Sequence, residues 1–264
     1  MIALLRSDAY RVLRSRWFWA FVVAMAILTF APALLMRWTS MGPTSFDRLI
    51  GSGVSLGGVE ILSACMAAAV GTGAGGFDRT ALSALGRRAR TVWYAEKCVF
   101  VALLSLAAVT YALALGLLAL PVSGVPVLSV EPAWQVAVWL GCMWLCCAVY
   151  ATLTMAVGLL TRSQTVTIGF ALLASTGILE GGALLGIDIL AFLAGGEFLS
   201  VSSVASPWVP AGIVSALASG APEALSLQNS TGVAPALRTL VVCVPVVLAT
   251  TAASALALSR RDVA

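Results

Sequence analysis

An all-α integral membrane domain with six transmembrane helices is the fold class this sequence predicts, and three observations predict it. Hydrophobic residues fill 61% of the 264 positions and charged residues only 10%, whereas a soluble domain is apolar over roughly half its length. The apolar residues gather in runs of about 20 or more, the length a helix needs to cross a hydrocarbon core of about 30 Å. The basic residues fall almost wholly in alternate connections between those runs, which is the asymmetry that sets orientation. No alternating pattern suggests a barrel, so helices must satisfy the backbone in lipid. No polar stretch is long enough for a second core, and 1–264 reads as one domain.

Residues 1–16 are too polar to span. On a helical wheel Ile2, Leu5, Ala9, Val12 and Leu13 share one side and Ser7, Asp8, Arg11 and Arg14 the other. That pattern predicts an amphipathic helix lying at the interface. The spans follow at 17–36, 54–76, 98–120, 134–160, 165–194 and 237–258. The fourth and fifth are long enough to expect tilt, a break or a re-entrant end. Segments 1–16, 77–97, 161–164 and 259–264 hold twelve of the fifteen basic residues; 37–53, 121–133 and 195–236 hold only Arg37 and Arg48, with Arg238 just inside the last span. Both termini are therefore expected in the cytoplasm.

Three acids in or near the spans stand out as candidates for a substrate path, because an ionisable group in lipid normally faces protein or a water-filled cavity. Glu60 is expected about one turn from the outer end of the second span, where snorkelling would also explain it. Glu180 falls mid-way in the fifth span, ahead of Gly181, Gly182 and Asp188; a helix break is expected near Gly181–Gly182, with Leu184–Ala194 in the outer half of the domain. The outer segment 195–236 has no basic residue and is too apolar for a linker. It is expected to re-enter the outer leaflet as one or two short helices bounded by Pro207, Pro210 and Pro222.

Several chemistries are excluded. Histidine is absent and no two cysteines are spaced CxxC, so zinc sites and a disulfide framework have no support, and the six cysteines read as small apolar packing residues. The lone lysine, Lys97, has no phosphate-loop frame. Only Asp188 could serve an intramembrane aspartate pair, so the chain is not expected to be an enzyme.

The polar island 77–97 carries Arg79, Arg87, Arg88, Arg90 and Lys97 between two apolar runs. As a helix, 77–86 would place Phe77, Ala81, Ala84 and Leu85 on one side, an apolar face for a partner cleft rimmed by arginines. Contact with anionic lipid is the alternative for those arginines. The order of amphipathic helix, two spans, basic segment with Thr80, Gly86, Arg90 and Lys97, four spans and a final Arg260-Arg261-Asp262 resembles the permease subunits of ABC-2 type exporters. It is most similar to the short six-span permeases of lantibiotic immunity, antimicrobial-peptide export and drug export. Arg79 stands where the family has a glycine before Thr80, and Asp78 is one residue nearer than the usual acid.

That resemblance implies a translocation subunit moving an amphipathic or hydrophobic substrate, with 77–97 as a cytoplasmic coupling helix. Phe77, Asp78, Thr80, Ala81, Leu85, Arg87, Arg88 and Arg90 would meet a separate ATPase. Two ATPase copies, a second permease, identical or sister, and a bacterial plasma membrane are implied, with ATP and magnesium held by the partner and no cofactor on this chain. A proton-coupled transporter using Glu180 and a non-transporting scaffold or sensor are the alternatives; neither nucleic acid nor a metal is expected.

Overall fold

A computed structural model describes residues 2–14, 16–38, 58–72, 87–124, 131–161, 163–195, 200–227 and 231–260. Among them all regular structure is helical: α1 (Ile2–Arg14), α2 (Arg16–Trp38), α3 (Val59–Thr72), α4 (Arg87–Ser123), α5 (Ala133–Thr161), α6 (Gln164–Ser175), α7 (Ile178–Leu193), α8 (Ser200–Ala205), a 3-10 turn (Ser206–Trp208), α9 (Pro210–Leu217), α10 (Ala221–Leu225) and α11 (Pro235–Arg260). Helices α2, α4, α5 and α11 are each long and apolar enough to cross a membrane. The pair α6 and α7 would make a fifth span, bent by 68°. The expected second span, 54–76, is represented by Gly58 and α3, whose 14 residues rise only about 21 Å; 54–57 and 73–76 lie outside the described residues.

Helix α5 is the axis. Cys142, Met143, Cys146, Cys147, Val149, Tyr150, Ala151 and Met155 along it are buried, and α3, α4, α6 and α11 all pack against it. Its cysteines, alanines and Gly158 keep its surface thin, so neighbouring backbones approach closely, as small residues allow in membrane bundles. All six cysteines are free thiols. Around this axis the apolar residues point outward as well: Val23, Ile27 and Leu35 on α2, Leu103 and Leu118 on α4, and Leu240 and Leu248 on α11 are exposed. A bundle apolar inside and out is what lipid as solvent selects. Hydroxyls do not break the rule, because Thr29, Ser105, Thr152, Thr239 and Thr250 donate to carbonyls four residues back on their own helices.

The two ends of the bundle differ. At one, Leu5, Ala9 and Val12 of α1 pack against Tyr94, Phe100 and Val101 at the start of α4, Met155 and Leu159 at the end of α5, and Ala255 near the end of α11. This basic end also holds Arg6, Arg14 and Lys97. At the far end, Ile213, Leu217, Ala221 and Ala224 of α9 and α10 are buried with Trp139 and Leu115. The expectation that Pro207, Pro210 and Pro222 bound short helices holds, each lying in the first turn of its helix, where a missing amide costs nothing. Among the described residues of this segment there are three short helices and a 3-10 turn, where one or two helices were expected.

Three expectations are corrected. The fifth span breaks at Thr176–Gly177, not at Gly181–Gly182. Gly177 takes φ 74°, a left-handed conformation that glycine adopts freely, and Ser175 and Thr176 turn their hydroxyls back on Ala171 and Leu172 carbonyls. Gly181 and Gly182 lie inside α7. Asp8 is not on the polar side of α1: it is buried and ion-paired with Lys97, while Leu13, expected on the apolar side, is exposed. Glu60 does not snorkel, being 4% exposed.

Candidate functional site

Two helix N-termini and the helix break meet halfway along α5, beside Tyr150. Helix α3 runs toward the basic end, where Ala67 packs with Tyr94 and Met155, so its first turn stands deep in the bundle. Val59 is fully buried there, and Glu60 is close enough to Cys146, Cys147 and Tyr150 for its charge to act on each. Helix α9 arrives from the opposite direction. Its last residue, Leu217, accepts a hydrogen bond from Trp139 Nε1 at 2.7 Å, and its first turn reaches Glu180. From residue 139 to residue 150 α5 rises about 16 Å, close to the length of α9 plus one turn. Helix α9 therefore points its N-terminus into the middle of the bundle.

Glu180 joins these parts. Its Oε1 accepts from the Tyr150 hydroxyl at 3.0 Å and its Oε2 from the Ala211 amide at 2.8 Å. Val209, at the N-cap of α9, offers no side-chain oxygen, so a carboxylate from a different helix does the capping and meets the positive end of the helix dipole. Close approach makes this possible: a Cβ on Gly177 would stand 3.0 Å from the Ala211 Cβ, and one on Gly212 only 1.8 Å from the Ser206 carbonyl oxygen. Packed on Tyr150 from the other side are Ala64, Cys65, Ala171 and Ala174.

Asp188, two turns farther along α7, stands apart from this cluster and does the same work for α8. Its Oδ1 accepts from the amides of Val201 and Ser202 at 3.0 and 3.1 Å. The residues around it, Ile187, Ile189 and Leu190, are exposed, so its cover is the helix it caps rather than the core. Glu180 and Asp188 thus fasten the far-end helices to α7, and Arg238 Nη1, donating to the Pro207 carbonyl at 2.8 Å, fastens them to α11.

Glu60 differs from both. Its Oε1 is buried with no hydrogen-bond partner; Ser63 Oγ, one turn along α3, is buried beside the Cys147 thiol. Among the described residues no lysine or arginine pairs with Glu60 or Glu180. No protein-family model matches this chain, and no curated protein matches it either.

At the basic end, Arg87, Arg88 and Arg90 fall in the first turn of α4, while Phe77, Asp78, Thr80, Ala81 and Leu85 lie outside the described residues. Lys97 lies two turns beyond Arg90, buried against Asp8 with its ammonium 5.4 Å from the centre of the Trp93 ring. The sequence marked Glu60, Glu180 and Asp188 as individuals. It carried no signal for Tyr150, an aromatic inside an apolar run, or for Asp8 as the partner of Lys97, since the two are 89 positions apart.

Proposed function

We propose that this chain is the membrane-spanning permease subunit of an ABC-type exporter, crossing a bacterial plasma membrane six times with both termini in the cytoplasm. It moves an amphipathic or hydrophobic substrate outward while a separate ATPase subunit, present in two copies, hydrolyses ATP. A second permease, identical or sister, completes the path. The observation that carries this reading is helix α4. Its 37 residues rise about 55 Å, well beyond a hydrocarbon core of about 30 Å, so Arg87–Lys97 of the basic segment and the third span are one rod. A push delivered at the Arg87 end would reach the bundle along that rod. The buried pair of Lys97 with Asp8 ties the rod to α1, and hence to α2, whose Trp19 indole donates to the Leu13 carbonyl at 2.9 Å.

The test is co-purification. Co-expressed with a candidate partner ATPase, the chain is expected to retain that ATPase through detergent extraction, and Leu85→Asp is expected to lose it while still inserting in the membrane. Retention by Leu85→Asp, or transport by the purified chain alone in sealed vesicles, contradicts the reading. The proton-coupled alternative rested on Glu180 as carrier; with Tyr150 and Ala211 occupying both oxygens, a fastening role is the better supported one.

A further inference from the structure

Glu60 is a carboxylate at the middle of the bundle with one buried oxygen left without a partner. It lies in the first turn of α3, 4% exposed, with Oε1 unpartnered. Its other oxygen turns back to its own amide. An ionised carboxylate held alone in a dry interior costs far more than a fold can sustain. Nor does any lysine or arginine among the described residues neutralise it. The position at a helix N-terminus nevertheless favours the ionised form, which is the form that attracts a cation. Ser63, three residues on and so on the same face, adds a second buried oxygen, beside the Cys147 thiol. Tyr150 donates its proton to Glu180, leaving lone pairs on its hydroxyl oxygen.

We propose that Glu60 and Ser63, with the Tyr150 hydroxyl beside them, form a binding site for one monovalent cation, a proton or a sodium ion, halfway through the bundle. Three oxygens, one of them anionic, suit a hard cation. Cys146, Cys147 and Tyr150 around the site are 0–1% exposed, so the ion sits there without its water shell. The titratable groups facing Glu60 are Cys146, Cys147 and Tyr150 of α5; behind them stand Cys243 of α11, 3.9 Å from Cys146, and Glu180 of α7 on Tyr150. None of these carries a positive charge, so the countercharge must come from the bound ion. The site belongs to this chain alone and does not rest on the export reading.

The experiment uses the purified full-length chain in detergent, with melting temperature followed as sodium chloride replaces choline chloride at constant ionic strength, and separately as pH rises from 6 to 9. If sodium is the ligand, melting temperature climbs with sodium concentration and Ser63→Ala weakens the response severalfold. If a proton is the ligand, sodium has no effect and melting temperature falls as pH rises, because a carboxyl held protonated in the fold loses its contribution on ionising. In either case Glu60→Gln removes the dependence and Asp188→Asn keeps it. A wild-type chain indifferent to both ions, or a Glu60→Gln variant that still responds fully, overturns the proposal. Should Glu60→Gln fail to fold, labelling of wild-type Glu60 by a lipid-soluble carbodiimide, read by mass spectrometry, decides instead. A labelling rate that falls with sodium or with rising pH supports the site. One that neither changes, zero included, overturns it.

Discussion

Removing the Lys97 charge is expected to be among the most damaging single changes at the basic end, and its cost can be worked from the geometry. The Lys97 and Asp8 side chains keep 6% and 8% of their surface, so neither ion has water to fall back on. Lys97→Met takes the ammonium away from the buried Asp8 carboxylate, and Asp8→Leu takes the carboxylate away from the buried ammonium. Each should cost about 3–5 kcal/mol, the range for breaking a buried pair from one side. The double variant buries two apolar chains of similar volume against Leu5, Ala9 and Tyr94, and should cost far less than the sum, by at least about 3 kcal/mol. At roughly 2–4 °C per kcal/mol for a chain of this size, each single variant should melt about 10 °C below wild type, with the double recovering most of it. Tryptophan fluorescence in detergent reads the transition, since Trp93 lies over the Lys97 ammonium. If the two single costs simply add in the double variant, or if either is below about 1 kcal/mol, as for an exposed pair, the reasoning that α1 is locked to α4 by a buried charge is refuted.

Other outcomes follow from the far end. Gly212→Ala should abolish recovery of folded protein, because its Cβ would meet the Ser206 carbonyl oxygen at 1.8 Å, whereas Gly186→Ala, with nothing within 4 Å, should be neutral or gain up to about 1 kcal/mol of helix propensity; yield by size-exclusion fluorescence compares them. Tyr150→Phe leaves Glu180 Oε1 without its donor and should cost about 1–3 kcal/mol, measured as a melting shift. Asp188→Ala should speed hydrogen exchange at the Val201 and Ser202 amides it caps without changing exchange at Ala211; protection retained at those two amides would contradict the capping.

How much of this was legible in the sequence varies with the kind of signal. The helical class, the strongest spans and the amphipathic first helix are written in local composition, because lipid obliges each backbone amide to pair within its own helix. Proline marked the starts of the far-end helices for the same local reason, since its missing amide is harmless only in a first turn. The break in the fifth span was misjudged. Two adjacent glycines at 181 and 182 look like the weaker point, yet both fit a helix, and the chain turns at Gly177, where α9 crowds against it. Glu60 was placed too near the surface because a hydropathy run says where apolar residues lie, not how deep the first turn of α3 sits beside α5.

Sequence alone determined that this chain is a multi-helix membrane protein, with most of its basic residues in alternate connections between the apolar runs and a short list of acids worth following. Those properties are sums over neighbouring residues, and neighbours in sequence need no fold to be counted. Only the tertiary structure decided what each acid does: Asp8 answers Lys97 across 89 positions, Glu180 and Asp188 cap helices that begin at Pro210 and Ser200, and Glu60 is left with a bare oxygen beside Tyr150. A carboxylate's role is set by which donor stands within 3 Å of it, and in a bundle of antiparallel helices that donor comes from a different helix, at a separation no local pattern encodes.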